Sequence, residues 1–220
     1  MTTLESIKAN PTFQKYLEMG NEYIGTIGAI EHNFSHAELV SSLSYQILYK
    51  LGFPRREAEL AAIAGYLHDI GNIINRYEHG MSGALIVFEI LLEIGMNPEE
   101  ICTVMGAVAN HEEHAGGNAV NNVAAAVILA DKSDVQRSRV RKVETSTFTT
   151  RDRVNYAAQE SNLVVDEDNH TISMSLTIDN GVCSVMDYFE IFMTKMLLCK
   201  RAAEFLDCRF ELLINDVRLL

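Results

Sequence analysis

Residues 61–72 read AAIAGYLHDIGN. An apolar, alanine-rich run leads straight into the doublet His68-Asp69 and then meets Gly71. Leu60, Ile63, Ala64 and Leu67 recur at helical spacing. The run therefore reads as a buried helix whose last turn carries His68, with Gly71 as its C-terminal cap. An imidazole and a carboxylate at the end of a buried helix are costly unless they are paired or bind a metal. The partners must come from elsewhere in the chain.

Working outward, each neighbouring helix offers one. Upstream, Ser35-His36-Ala37-Glu38 fits a capping box, with Ser35 as N-cap and Glu38 at N3. The stripe Leu39, Val40, Leu43, Ile47, Leu48 and Leu51 follows and Gly52 ends it, so His36 starts the helix on its core side. Downstream, His79-Gly80 precedes the stripe Ala84, Leu85, Phe88, Leu91 and Leu92. Asn97-Pro98-Glu99-Glu100 opens another helix, with Pro98 at N1. Its face runs Ile101, Val104, Met105 and Val108, and His111 is the next member. After Gly116-Gly117, a helix through Val123, Val127 and Ile128 places Asp131 on the same buried face. Residues 4–28 read as one or two helices broken at Asn10-Pro11.

The character of the chain then changes. Residues 132–153 hold Lys132, Arg137, Arg139, Arg141, Lys142, Arg151 and Arg153 in an otherwise acidic protein. Leu163–Val165 and Thr171–Ile178 read as a hairpin turning at Asp166–Asn169. In the second strand Ile172, Met174, Leu176 and Ile178 alternate with polar residues. Ser184 caps a long helix, and Phe210–Ile214 reads as a third strand. The fold expected is mainly α. Residues 1–135 form a helical metal-binding domain, and residues 136–220 form an α+β extension, a small C-terminal antiparallel sheet plus a long helix, packed on it. The apolar face of Thr171–Ile178 is to be buried against that helix or against a second copy of the chain, a possible homodimer.

Bulk properties narrow the function classes. A net charge of −12 speaks against binding a nucleic-acid polymer or an anionic membrane. The start MTTLESIKANP lacks the pattern of a signal peptide, and the longest apolar run, Val123–Ala130, is too short for a bilayer. The four cysteines are scattered, with no CxxC, as reduced thiols of a cytoplasmic protein are.

His36, His68, Asp69, His79, His111 and Asp131 thus each close an apolar stripe. Imidazoles and carboxylates together suit one or two divalent transition ions: Fe, Mn, Co, Ni or Zn. Six groups exceed the needs of one tetrahedral ion and could serve two if Asp69 bridges them. His32, His114 and His170 read as ordinary surface or core residues. The basic run has two readings. It is a solvated face braced by Asp134, or it holds phosphate through Lys132, Arg137 and Arg139.

His36, the doublet His68-Asp69 and Asp131 within ILADKSD resemble the H…HD…D signature of the HD-domain metal-dependent phosphohydrolases, over about residues 30–135. His79 followed by Gly83, and His111-Glu112 within NHEEH, resemble the subgroup with extra histidines, which includes HD-GYP phosphodiesterases and dinucleoside-tetraphosphate hydrolases. The resemblance implies a helical core with one metal on His36, His68, Asp69 and Asp131. It implies a second metal on His79 and His111, bridged by Asp69, and a metal-bound hydroxide that attacks phosphorus. Asn72 stands where many members have lysine, a single histidine stands in NHEEH, and no GYP triplet follows. The function implied is hydrolysis of a small phosphomonoester or phosphodiester, a nucleotide above all, with Asp69 and Lys132 as catalytic residues. The alternatives are a di-iron oxygenase on the same fold and a catalytically silent nucleotide-binding module.

Overall fold

The computed structural model describes residues 1–220. Helices α1 (Leu4–Lys8), α2 (Pro11–Thr26), α3 (Phe34–Lys50), α4 (Arg55–Leu67), α5 (His79–Glu93), α6 (Pro98–Ala109) and α7 (Asn122–Ser133) make the body of the molecule. The extension follows as α8 (Thr150–Ala157), β1 (Ala158–Asp166), β2 (Thr171–Ile178), α9 (Val185–Phe205), β3 (Arg209–Ile214) and β4 (Val217–Arg218). No helix is long and apolar enough to cross a membrane. All four cysteines are free thiols.

Two helical hairpins set up the site. In the first, α3 and α4 pack together through the short connection at Gly52-Phe53-Pro54. An antiparallel pair brings the start of α3 to the end of α4, and so His36 to His68. In the second, α5 and α6 pack together through residues 94–97, bringing His79 to His111. Each histidine pair is separated by 32 residues along the chain. Asparagines cap three of these entries by accepting backbone N–H bonds: Asn33 from His36, Asn97 from Glu99 and Asn121 from Ala124.

Two local expectations are corrected. The N-cap of α3 is Asn33, not Ser35, so the helix starts earlier and His36 is its third residue. The Asn33 side chain reaches the His36 N–H directly, which leaves no role for a Ser35/Glu38 box. Gly71 is not a helix cap either. After His68 the chain tightens into a 3-10 turn, Ile70–Ile73, with Gly71 inside it. Gly71 is glycine for lack of space: a Cβ there would fall inside the van der Waals envelope of His79 O and 2.6 Å from Gly83 N. Gly65 serves α4 in the same way, since a Cβ there would stand 3.0 Å from Val40 O on α3. The glycines of the quoted stretch thus let three backbones converge on His68-Asp69.

The sheet is mixed rather than antiparallel throughout. Its order is β1-β2-β3-β4, with β1 antiparallel to β2, β2 parallel to β3 and β3 antiparallel to β4. The parallel pair follows from the long α9 crossover that returns the chain to the same end of β2. Ile172, Met174, Leu176 and Ile178 are buried, and α9 packs on β2 and β3, so the chain covers that apolar face itself. One continuous apolar cluster runs from Ile7 through Leu67, Val127 and Phe192 to Ile214, with α7 packed on α9. The helical body and the extension therefore share a core.

Gly71→Ala is expected to destabilise the protein by about 3 kcal/mol, because backbone rather than a flexible side chain must yield. Chemical denaturation with an unchanged m-value would check it.

Candidate metal centre

Four side-chain atoms meet at the end of the first hairpin. His36 Nε2 lies 3.2 Å from His68 Nε2, 3.4 Å from Asp69 Oδ2 and 3.4 Å from Asp131 Oδ1. His68 Nε2 lies 3.2 Å from Asp69 Oδ2 and 3.6 Å from Asp131 Oδ1. Ligands held about 2.1 Å from one ion stand about 3.0–3.4 Å apart, so all of these spacings but the 3.6 Å one are those of a coordination shell. The second hairpin adds His79 Nε2, 2.9 Å from His111 Nε2 and 2.9 Å from Asp69 Oδ1. Asp69 thus sends one oxygen to each hairpin. His68, His111 and Asp131 also converge, so the two groups are contiguous.

The other ring nitrogens explain why these atoms must be ligands or carry protons. His36 Nδ1 donates to Asp134 Oδ2 at 2.6 Å, His68 Nδ1 to Gly65 O at 2.8 Å and His111 Nδ1 to Val108 O at 2.7 Å. His79 Nδ1 faces Glu112 Oε1 at 2.8 Å and Arg76 O at 3.0 Å. With Nδ1 protonated, each neutral imidazole presents a bare Nε2. Two bare nitrogens at 2.9 or 3.2 Å repel unless a cation lies between them. Asp69 Oδ2 is buried and accepts no hydrogen bond. The donor set fits a first-row divalent metal at both hairpin ends.

Protons compete for the same sites. Burial disfavours a charged His68, but the Asp69 and Asp131 carboxylates overcome it and raise the imidazole to about 10. Burial acts on Asp69 in the opposite sense, and the charges of His68 and His32 still hold its carboxyl well below the usual range. For His111 burial wins, reinforced by His79 and His68, and its imidazole sits well below its ordinary value.

A cleft of about 490 Å³ opens beside this cluster. The structure places the expected cations unequally around it. Lys132 is buried, its Nζ 2.6 Å from Asp131 Oδ2 and 2.9 Å from Glu113 Oε2. Arg139 lines the cleft but is tied to Asp134 and to Glu31 O, the bracing role of the basic run. Arg137 lies outside the cleft, donating to Tyr156 O and stacking on its ring.

Several residues of the site escaped the sequence reading. His32 is buried, as the core alternative has it, but it lines the cleft with its Nε2 4.0 Å from Asp69 Oδ2 and so belongs to the site. Its one signal was proximity, since HNFSH sets two histidines around a helix cap. Arg76 reaches Asn72 Oδ1 at 3.1 Å and Asp69 Oδ1 at 3.6 Å, so a cation stands beside the bridging carboxylate although Asn72 is not lysine. Glu112 orients His79 and also accepts the Gly80 N–H. His114 is at the rim with its side chain 68% exposed.

Residues 33–136 match the family model described as the HD domain. An uncharacterized protein of Methanocaldococcus jannaschii, MJ1020, is 26% identical over 154 residues, a match that covers 60% of this chain and 59% of that protein.

Two substitutions separate the hairpins. An ion held at the second hairpin is expected to be lost in His79→Ala while one held by His36, His68, Asp69 and Asp131 stays, read as metal per chain by elemental analysis. Glu112→Gln should weaken any ion held through His79 by about 10–100-fold with the fold intact, read by metal titration. The HD-family match lies over α3 to α7, where all six converging residues reside: residues 33–136 of this chain are an HD domain.

Proposed function

We propose that the protein is a binuclear metal-dependent phosphohydrolase acting on a small phosphoester, and that the substrate is a nucleotide. The observation that carries this reading is the two pairs of facing Nε2 atoms, 3.2 and 2.9 Å apart, with Asp69 between them. HD domains as a family are metal-dependent hydrolases, and the donor set here is complete. His36, His68, Asp69 and Asp131 would hold one ion, and Asp69, His79 and His111 the other. Bound there, the pair would activate a water and neutralise charge on the phosphoryl oxygens.

The chain's own residues supply the rest. Asp69 and Asp131 bring two negative charges that must be balanced before an anion can enter. Lys132 and Arg76 provide that balance by touching Asp131 and Asp69. Lys132, held between two carboxylates, acts first on the shape and charge of Asp131. His32 sits on the cleft side of Asp69 with its Nδ1 donating to Ile30 O, so its bare Nε2 is free to accept a hydrogen bond from a water. Tyr77, 80% exposed at the rim, offers a ring on which a base can stack.

The test is hydrolysis of a panel of phosphomonoesters, phosphodiesters and nucleotides by metal-loaded protein, read as the products formed from each. Asp69→Ala is expected to abolish turnover, by more than about 10³-fold, and to lose metal at both positions. His32→Ala should keep its metal and lose turnover. Full activity in Asp69→Ala would overturn the assignment, as would a metal-loaded wild type that hydrolyses none of the panel.

A further inference from the structure

Five cations line the cleft: Arg76, Lys132, Arg139, Arg151 and Lys195. Three are saturated by the protein. Arg76 is held by Asn72 and Asp69, Lys132 by Asp131 and Glu113, and Arg139 by Asp134 and Glu31 O. Arg151 on α8 and Lys195 on α9 are different. Both are partly buried, yet no carboxylate oxygen lies within 4.0 Å of either and neither side chain donates a hydrogen bond. Lys195 has only the Phe192 ring, 4.9 Å from its Nζ. Burying cations without a partner is unfavourable, and a chain with thirty acidic residues has no shortage of partners to offer.

We propose that Arg151 and Lys195 form an anion subsite that takes a second, non-scissile phosphate, so that the substrate carries at least two phosphate groups. The inference rests on the phosphohydrolase reading above for what happens at the metal end of the same cleft. The two cations belong to the extension, whereas the ligands belong to the helical hairpins. Neither touches a ligand carboxylate, as Arg76 and Lys132 do. Both line the cleft that holds Asp69, His79, His111 and Asp131, so a phosphate linked to the reacting one can share that cleft with them. Asn155, one turn after Arg151, lines the same wall. Burial is the main reason the Lys195 ammonium is pushed down to about 8, and Lys132 and Arg151 add to it against Glu113 and Asp131. An anion placed there would relieve that mutual repulsion. A planar guanidinium paired with a mobile ammonium suits a phosphate with several free oxygens.

The experiment is calorimetric titration of the metal-loaded full chain with inorganic pyrophosphate and, separately, with orthophosphate. Arg151→Gln and Lys195→Met are compared with wild type and with Lys200→Gln, which removes an equal charge from the exposed side of α9. Each subsite variant is expected to weaken pyrophosphate about tenfold, and orthophosphate by less than about twofold, with metal content and thermal midpoint unchanged. The Lys200→Gln control should match wild type. Unchanged pyrophosphate affinity in both variants would overturn the subsite, and so would an equal loss for the two probes, which would assign the cations to a single phosphate. A wild type that hydrolyses no phosphoester yet binds pyrophosphate through these residues would sink the hydrolase reading and keep the subsite. Hydrolysis with pyrophosphate binding untouched by either variant would do the reverse.

Discussion

Two pairs of imidazole nitrogens face each other across gaps of 3.2 and 2.9 Å, with one carboxylate between the pairs. Nothing else in the chain explains so many of its choices. The facing nitrogens need positive charge between them, as protons or as metal. Backbone carbonyls at Gly65 and Val108, and the carboxylates of Asp134 and Glu112, fix the outer nitrogens and so aim the inner ones. The close packing at Gly65 and Gly71 brings the helices near enough for the rings to meet. The site is a product of helix ends: every ligand lies within a turn of one.

That placement also explains what could be read beforehand. A histidine that continues an apolar stripe betrays itself by periodicity, and His36, His68, His79, His111 and Asp131 all do so. Groups that reach the site from irregular backbone leave no such trace. His32 precedes its helix, Asp134 follows one, and Arg76 sits in the connection between Asp69 and α5. Their roles depend on how loops settle over the cluster, which periodicity does not encode. Short-range chemistry was misjudged for a related reason. Ser35 and Glu38 fit a capping pattern, but Asn33 two residues earlier caps the helix through the His36 N–H, which puts Ser35 inside it.

The extension shows the limit most plainly. Its alternating strand and capped helix were legible, and so was the apolar face that α9 covers. The parallel pairing of β2 with β3 was not, because it depends on where a 21-residue helix returns the chain. Nor could spacing show that Arg151 and Lys195, on separate helices and 44 positions apart, would look into one cleft. The basic segment that drew attention in the sequence divides its duties. Arg139 and Arg141 hold loops together, Arg137 stacks on Tyr156, and Arg151 alone of the four turns to the cleft without a partner.

The equal span of the two histidine pairs, 32 residues each, bears on the order in which the molecule assembles. Each pair is closed by a helix, a short turn and a second helix, so its contacts are local and the chain entropy lost in closing it is small. Neither hairpin needs the other to bring its own histidines together. What joins them is Asp69 and the glycine-lined approach of the 3-10 turn to α5, both of which require the hairpins to be docked already. An ion shared through Asp69 would then act as a rivet set after the plates are aligned, rewarding the docked arrangement and leaving the hairpins themselves to fold unaided.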